Sequence, residues 1–184
     1  HPDTVGACQH RIFIATGADN SVVGGSTPAE GNWIAAPGYV GVEIDGETTG
    51  TLIQFNRIGT DHAGTVNWGP QQNGILIENS GTGAGPSNNM VADNIVAFGG
   101  QGGAVPTGVR IRSTAGAGNA LLRNSIYSSV SLGIDLGTFD VTPNDVGDAD
   151  TGPNNLQNFP VLTSAIGTGS QLLIAGTLNS TAND

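Results

Sequence analysis

The residues best suited to chemistry lie in one acidic stretch of the sequence, DVTPNDVGDADTGPNN at residues 140–155. It contains four aspartates, Asp140, Asp145, Asp148 and Asp150. Calcium takes about six to eight oxygen ligands from carboxylates, carbonyls and waters, and this loop could supply several of them. The spacing differs from that of an EF-hand, whose loop closes on a Glu. Three interpretations stay open: a calcium loop, a solvated acidic turn over the end of the fold, and a contact with a partner protein.

The rest of the sequence offers few residues whose spacing indicates catalysis. The three histidines are too dispersed for a metal triad to be inferred from their positions. A polysaccharide lyase needs a base near acidic groups, yet the chain has no lysine, and Arg110 and Arg112 are its only close pair of arginines. We therefore expect no catalytic residues.

Trp33 and Trp68 are the candidates for stacking on sugars; Trp33 is expected to pack inside a repeat, and Trp68 is expected to be exposed in a loop.

The composition argues against several classes of partner. Five arginines and 15 acidic residues give a formal net charge of -10, which disfavours binding to nucleic acid or to an anionic membrane surface. No apolar run approaches the roughly 20 residues of a membrane span, so we expect no membrane insertion. The 184 residues are 37% hydrophobic, which is enough for the core of a single domain. Cys8 is the only cysteine and cannot form a disulfide within the chain, which leaves its role open.

Two short patterns recur along the chain and alternate with each other. The first is Asn-x-apolar, at residues 32–34, 56–58, 94–96 and 124–126. The second is Gly-apolar-x-apolar, at residues 41–44, 74–77, 108–111 and 133–136. Alternation with a period of two, bounded by Gly, Asn, Ser or Thr, is typical of β-strands. Several short strands in each repeat predict an all-β fold, a parallel β-helix of about four coils.

The second pattern divides into inward and outward positions, because successive side chains of a strand point to opposite faces. Two inward apolar ladders are predicted, one from Val42, Ile75, Val109 and Ile134, the other from Ile44, Ile77, Ile111 and Leu136. The residues between the ladders are predicted to face solvent: Glu43, Leu76, Arg110 and Asp135. Their charges would form a favourable row there. The recurrent asparagines are predicted to form corners between strands and a stacked amide ladder; the functional alternative is ligand binding.

Several segments resemble a known class of repeat. VVGGST, GNWI, GVEI, NRIGTDHAGT and NGILI occur in that order between residues 22 and 77. They look like the signatures of right-handed parallel β-helix repeats in large secreted bacterial proteins. GIDLG, followed by VTPNDVGDADTGPNNLQNFPVL, is similar to the end of such regions, before an immunoglobulin-like sandwich begins. The resemblance implies a right-handed β-helix at an extracellular or cell-surface location, and it implies no particular reaction.

We divide the chain into a β-helix at residues 1–139, an acidic loop and cap at 140–165, and a strand-like tail at 166–184. The tail is predicted to pair locally, to begin a sandwich domain, or to add to a neighbouring molecule through Gln171, Leu172, Leu173 and Ile174. Such addition could assemble copies head to tail into a filament. The sequence thus favours a non-enzymatic structural or adhesive module, with its own copies or surface glycans as partners and calcium as the candidate ion. The alternative is a carbohydrate-binding or polysaccharide-degrading protein.

Overall fold

A computed structural model describes residues 10–35, 38–69, 72–100 and 106–180, so Cys8 lies outside the described residues. That part of the chain contains no α-helix, and none of its helical segments is long and apolar enough to cross a membrane. It forms fifteen strands: β1 His10–Ile14, β2 Val22–Gly24, β3 Trp33–Ile34, β4 Val40–Asp45, β5 Leu52–Gln54, β6 Arg57–Ile58, β7 Asn73–Glu78, β8 Met90–Ala92, β9 Ile95–Ala97, β10 Val109–Arg112, β11 Ala120–Leu122, β12 Ser125–Tyr127, β13 Ile134–Gly137, β14 Val161–Thr168 and β15 Gln171–Thr177.

The first thirteen strands form three parallel sheets that the chain visits in a fixed order. Sheet A contains β1, β4, β7, β10 and β13; sheet B contains β2, β5, β8 and β11; sheet C contains β3, β6, β9 and β12. Each strand therefore pairs with the equivalent strand of the adjacent repeats, and the strands at the two ends of a sheet have one such neighbour. The prediction of an all-β chain with stacked parallel strands is confirmed, and the arrangement is compatible with the predicted β-helix.

The core consists of apolar ladders that run from repeat to repeat. Val42 lies beside Ile75, and Ile75 beside Val109, in registered parallel strands. All three side chains are fully buried, as are Ile44, Ile77 and Ile111 of the second predicted ladder. Ile134 ends the first ladder and is 45% exposed, because β13 is the last described strand of sheet A. The predicted inward register is thus confirmed for three repeats, and burial decreases at the fourth.

A column of glycines allows sheet A to pack closely against sheet C. A Cβ added to Gly74 would lie 2.3 Å from Val96 Cγ1, and one added to Gly108 would lie 2.4 Å from Ile126 Cγ2. Real Cβ atoms do not approach that closely, so no larger residue fits without displacing a buried strand. The glycine of the Gly-apolar-x-apolar pattern therefore has a packing role at residues 41, 74 and 108.

The predicted asparagine ladder is present. Backbone N and Nδ2 of Asn56 both donate to Asn94 Oδ1, at 2.9 and 3.0 Å. Asn94 donates in the same way to Asn124 Oδ1, at 3.0 and 3.0 Å. The residue before each ladder asparagine, rather than the asparagine itself, adopts the left-handed conformation: Phe55, Asp93 and Arg123 have φ of 56°, 56° and 53°. L-amino acids disfavour this left-handed backbone conformation, so the hydrogen bonds of the ladder must stabilise the corner between each strand of sheet B and the following strand of sheet C.

The C-terminal part leaves the stacked sheets and forms a separate hairpin. Strands β14 and β15 pair antiparallel around a two-residue turn in which Gly169 has φ of 63°. A positive φ at this position is typical of tight hairpin turns. The hairpin begins at Val161, so the predicted boundary between cap and tail, at residues 165 and 166, falls inside β14.

Candidate functional site

Three of the four predicted calcium ligands meet in the acidic loop. One carboxylate oxygen from each of Asp145, Asp148 and Asp150 lies within 4.8 Å of the other two. Asp140 is outside this group, and its Oδ1 accepts a hydrogen bond from Val141 N at 2.9 Å. The fold of the loop therefore brings together the carboxylates of Asp145, Asp148 and Asp150, whereas Asp140 makes a hydrogen bond with the next residue in the chain.

The acidic loop holds the base of the hairpin. Asp148 is 8% exposed; its Oδ1 accepts from Asn158 N and its Oδ2 from Ser180 Oγ, both at 2.8 Å. Asn158 Nδ2 donates to Asn179 O at 2.6 Å. Asn158 precedes β14, and Asn179 and Ser180 follow β15. The Asp148 carboxylate thus fixes both ends of the hairpin to the loop.

Asp150 has a buried carboxylate oxygen, Oδ1, that no described residue uses as a hydrogen-bond acceptor. Asp145 accepts from Ala149 N at 3.0 Å, and each oxygen of Asp148 accepts one hydrogen bond at the base of the hairpin. Oxygen donors from several carboxylates suit a hard cation such as calcium, and a divalent ion would offset the repulsion between them. Without an ion, the same loop serves as a hydrogen-bonded support for the hairpin.

The charged row on the outer side of sheet A is buried, which contradicts the prediction that it faces solvent. The exposed fractions are 3% for Glu43, 6% for Leu76, 6% for Arg110 and 1% for Asp135. The strand register places these residues next to each other in successive repeats. Part of the cover comes from Phe139, whose ring centroid lies 4.1 Å from Arg110 Cζ. The alternation of the sequence indicated which face these residues occupy, but it did not indicate that later segments cover this face.

Burial changes the protonation chemistry of this row. It raises the pKa of Glu43 to about 8, and the negative charges of Glu78 and Asp45 add to the effect. Burial also raises the pKa of Asp135 and lowers that of Arg110, while their mutual attraction opposes both shifts. Arg110 Nε lies 3.3 Å from Asp135 Oδ2. These groups have perturbed pKa values, as catalytic groups often do, but they expose too little surface to contact a polysaccharide chain.

One aromatic pair is more exposed than the sequence suggested. Trp33 was predicted to pack inside a repeat, yet its side chain is 60% exposed because β3 turns it to the outer face of sheet C. His62 packs against it edge to face, with ring centroids 5.2 Å apart. Trp68 is 45% exposed, as predicted from its loop position. A glycan-binding role for these residues stays a prediction.

A groove of about 840 Å³ lies between the last repeat and the acidic loop. One wall consists of β11 and the start of β13, including Leu122 and Ile134, which are 42% and 45% exposed. The other wall includes Leu156, Phe159 and the Pro160 that leads into the hairpin. The groove is mainly apolar. It could not be predicted from the sequence, because the packing of one loop against the last described repeat occurs once and leaves no periodic pattern.

A second asparagine ladder, which the sequence patterns did not predict, lies on the edge of sheet B. Asn89 Nδ2 donates to Asn119 Oδ1 at 2.9 Å, and Asn119 N donates to Asn154 Oδ1 at 2.9 Å. A signal for it exists, since Asn89 and Asn119 each precede an apolar strand by one residue. Asn154 belongs to the acidic stretch, so this loop continues the ladder beyond the last repeat and covers part of its end.

Comparison of the chain with protein-family models, with curated proteins and with solved structures finds no match. The resemblance to β-helix repeats of secreted bacterial proteins therefore remains an inference from short motifs.

Proposed function

We propose that this chain is a closed right-handed β-helix that serves as a non-enzymatic, extracellular structural or adhesive module and associates with its own copies through the β14–β15 hairpin. The observation that carries the proposal is the exposure of this hairpin. Every residue of both strands is exposed, including Ile166, Leu172, Leu173 and Ile174. Three of the four residues predicted to add to a neighbouring molecule are thus exposed apolar side chains, and Gln171 is exposed beside them.

The hairpin is apolar on both of its faces. Ile166 lies opposite Leu173 on one face, whereas Leu172 and Ile174 share the other face with Ala165. A two-stranded hairpin is marginally stable at best in water, and large exposed apolar patches usually mark an interaction site. A covering surface would stabilise the hairpin and remove these side chains from water.

Charge favours a second copy at this surface. The protein carries a formal net charge of -10, so most of its surface repels another copy. Residues 151–183 contain no Asp, Glu, Lys or Arg. Two copies that meet through the hairpin therefore bring together the segment with the least mutual repulsion.

The self-association is tested by substituting one face of the hairpin. Leu172→Lys combined with Ile174→Lys is expected to weaken association at least tenfold, because two ammonium groups would have to be desolvated in the contact. Light scattering during size-exclusion chromatography over a range of concentrations measures it. Val130→Lys, at an exposed position outside the hairpin, is the control and should associate like the unmodified protein. Lysine lowers the net negative charge, so a loss of association cannot come from added long-range repulsion. A protein that is monomeric at every concentration would contradict the proposal.

Calcium is proposed as the ion of the acidic loop, where it would fix the base of the hairpin. A ligand at about a hundred times its Kd stabilises the native state by roughly 2.7 kcal/mol. Calcium is therefore expected to raise the thermal unfolding midpoint relative to a chelator. Asp150→Asn should remove most of this difference and leave the hairpin bonds of Asp148 intact. Asp19→Asn, outside the loop, should keep it. Equal midpoints with calcium and chelator would show that the loop is only a hydrogen-bonded support.

A further inference from the structure

We infer that the hairpin of one copy enters the groove at the end of the stacked sheets of a second copy, and that two copies exchange hairpins reciprocally. This inference rests on the proposed self-association and specifies the surface that receives the hairpin. It commits to a second copy of this chain as the occupant of the groove.

The walls of the groove are suited to a β-strand. Strands β11 and β13 are the last described strands of sheets B and A. Strand β11 offers an outer edge to another strand, whereas the edge of β13 is partly occupied, since Leu136 O accepts from Thr142 Oγ1 at 3.0 Å. Ala120, Leu121 and Leu122 of β11 line the groove together with Ile134 and Leu136 of β13. An incoming strand could place apolar side chains against this lining and direct its backbone groups toward a free edge. A small apolar ligand would satisfy the lining but not the strand edges.

The hairpin has the properties that this groove requires. It presents Leu172 and Ile174 two residues apart on one face, and it carries no charged residue. Its two strands are seven and eight residues long, which exceeds the three residues of β11. The hairpin of the same chain does not fill the groove, since all of its residues are exposed.

The position of the hairpin favours a closed pair over a filament. Phe159 and Pro160 line the groove, and β14 begins at the next residue. The donor hairpin and the acceptor groove therefore lie at the same end of the stacked sheets. Two copies whose corresponding ends face each other can then make both contacts at once. This geometry differs from the predicted head-to-tail filament, which requires contacts at opposite ends. The acidic loop also covers part of the last repeat through the bond from Asn119 to Asn154, where another repeat would have to stack.

A mixing experiment tests the inference. The hairpin variant is Leu172→Lys with Ile174→Lys, and the groove variant is Leu122→Lys with Ile134→Lys. All four positions are at least 42% exposed, so the fold should tolerate them. Each variant alone is expected to be monomeric at concentrations where the unmodified protein is dimeric. An equimolar mixture should recover a dimer with one copy of each, because the intact hairpin of one variant meets the intact groove of the other.

The other outcomes separate this inference from the proposed function. Val130→Lys, on the last repeat but outside the groove lining, is the matched control and should leave the dimer intact; its side chain is 62% exposed. A groove variant that stays dimeric would overturn the hairpin-in-groove contact and leave self-association through the hairpin standing. Two monomeric variants that fail to recover a dimer on mixing would overturn it as well, since direct hairpin-to-hairpin contact cannot be complemented. A molar mass larger than that of two copies would contradict the closed pair. An unmodified protein that is monomeric would contradict both proposals.

Discussion

Ile75→Asp is expected to prevent the chain from folding. Ile75 is fully buried between Val42 and Val109 in the inner ladder of sheet A. A carboxylate at this position would have no counter-ion in an apolar stack, at a cost of several kcal/mol, whereas small domains are stable by only about 5–15 kcal/mol. Circular dichroism and urea unfolding of the purified variant measure the loss. Ile134→Asp is the matched control from the same ladder; at a concentration where the protein is monomeric, the substitution at this exposed position should cost about 1 kcal/mol or less.

A substitution at Leu76, the residue next to Ile75, tests whether the outer row of sheet A is covered. The sequence predicts that Leu76 faces solvent and that Leu76→Asp is tolerated. The structure leaves Leu76 only 6% exposed, between Glu43 and Arg110. An added carboxylate would lie beside Glu43, whose pKa is already raised to about 8 by burial and by nearby acids. We therefore expect Leu76→Asp to destabilise the protein, though less than Ile75→Asp because Arg110 lies close. Equal stability of Leu76→Asp and the unmodified protein would contradict the observed cover of this face.

The repeats can be predicted well from the sequence because the contacts that stabilise them recur in each repeat. A ladder needs the same side-chain type at the same level of every repeat, so Val42, Ile75 and Val109 can be recognised from spacing alone. The glycine before each of these three residues follows the same rule, since each of these glycines lies close against a side chain of sheet C. The asparagine ladder of Asn56, Asn94 and Asn124 was predicted for the same reason.

The rest of the site depends on contacts that do not repeat. Phe139 covers Arg110 from outside the repeats, and Asp148 joins Asn158 to Ser180 across the whole hairpin. Such contacts occur once, so no pattern in the sequence records them. For this reason the acidic loop was recognised from its composition, whereas its role as the base of the hairpin was not. The exposure of Trp33 was misjudged because a two-residue strand gives too short an alternation to assign its faces.

Arg110→Met is expected to destabilise the protein by about 3–5 kcal/mol, because it leaves Asp135 as a buried carboxylate without its counter-ion. Arg110 Nε lies 3.3 Å from Asp135 Oδ2, and the two side chains are 8% and 0% exposed. Neither oxygen of Asp135 has a hydrogen-bond partner among the described residues, so the guanidinium is its main stabilising contact. Chemical unfolding of the purified variant measures the change. Arg123→Met, which removes the partner of Asp93 in a solvent-exposed pair, is the control and should destabilise the protein far less.

The double variant shows whether the ion pair or its packing matters. Arg110→Met with Asp135→Leu replaces both charges by apolar groups, and its stability should return close to that of the unmodified protein, since isosteric apolar pairs often replace buried ion pairs at little cost.

The pH dependence gives a second check. Burial already raises the pKa of Asp135, and loss of Arg110 would raise it further. The folded state of the single variant should then bind a proton that the unfolded chain releases, so its destabilisation should shrink as the pH is lowered toward the ordinary range of an aspartate. A destabilisation that does not change with pH, and that the second substitution does not repair, would show that Arg110 acts through its contact with Phe139 rather than through its charge.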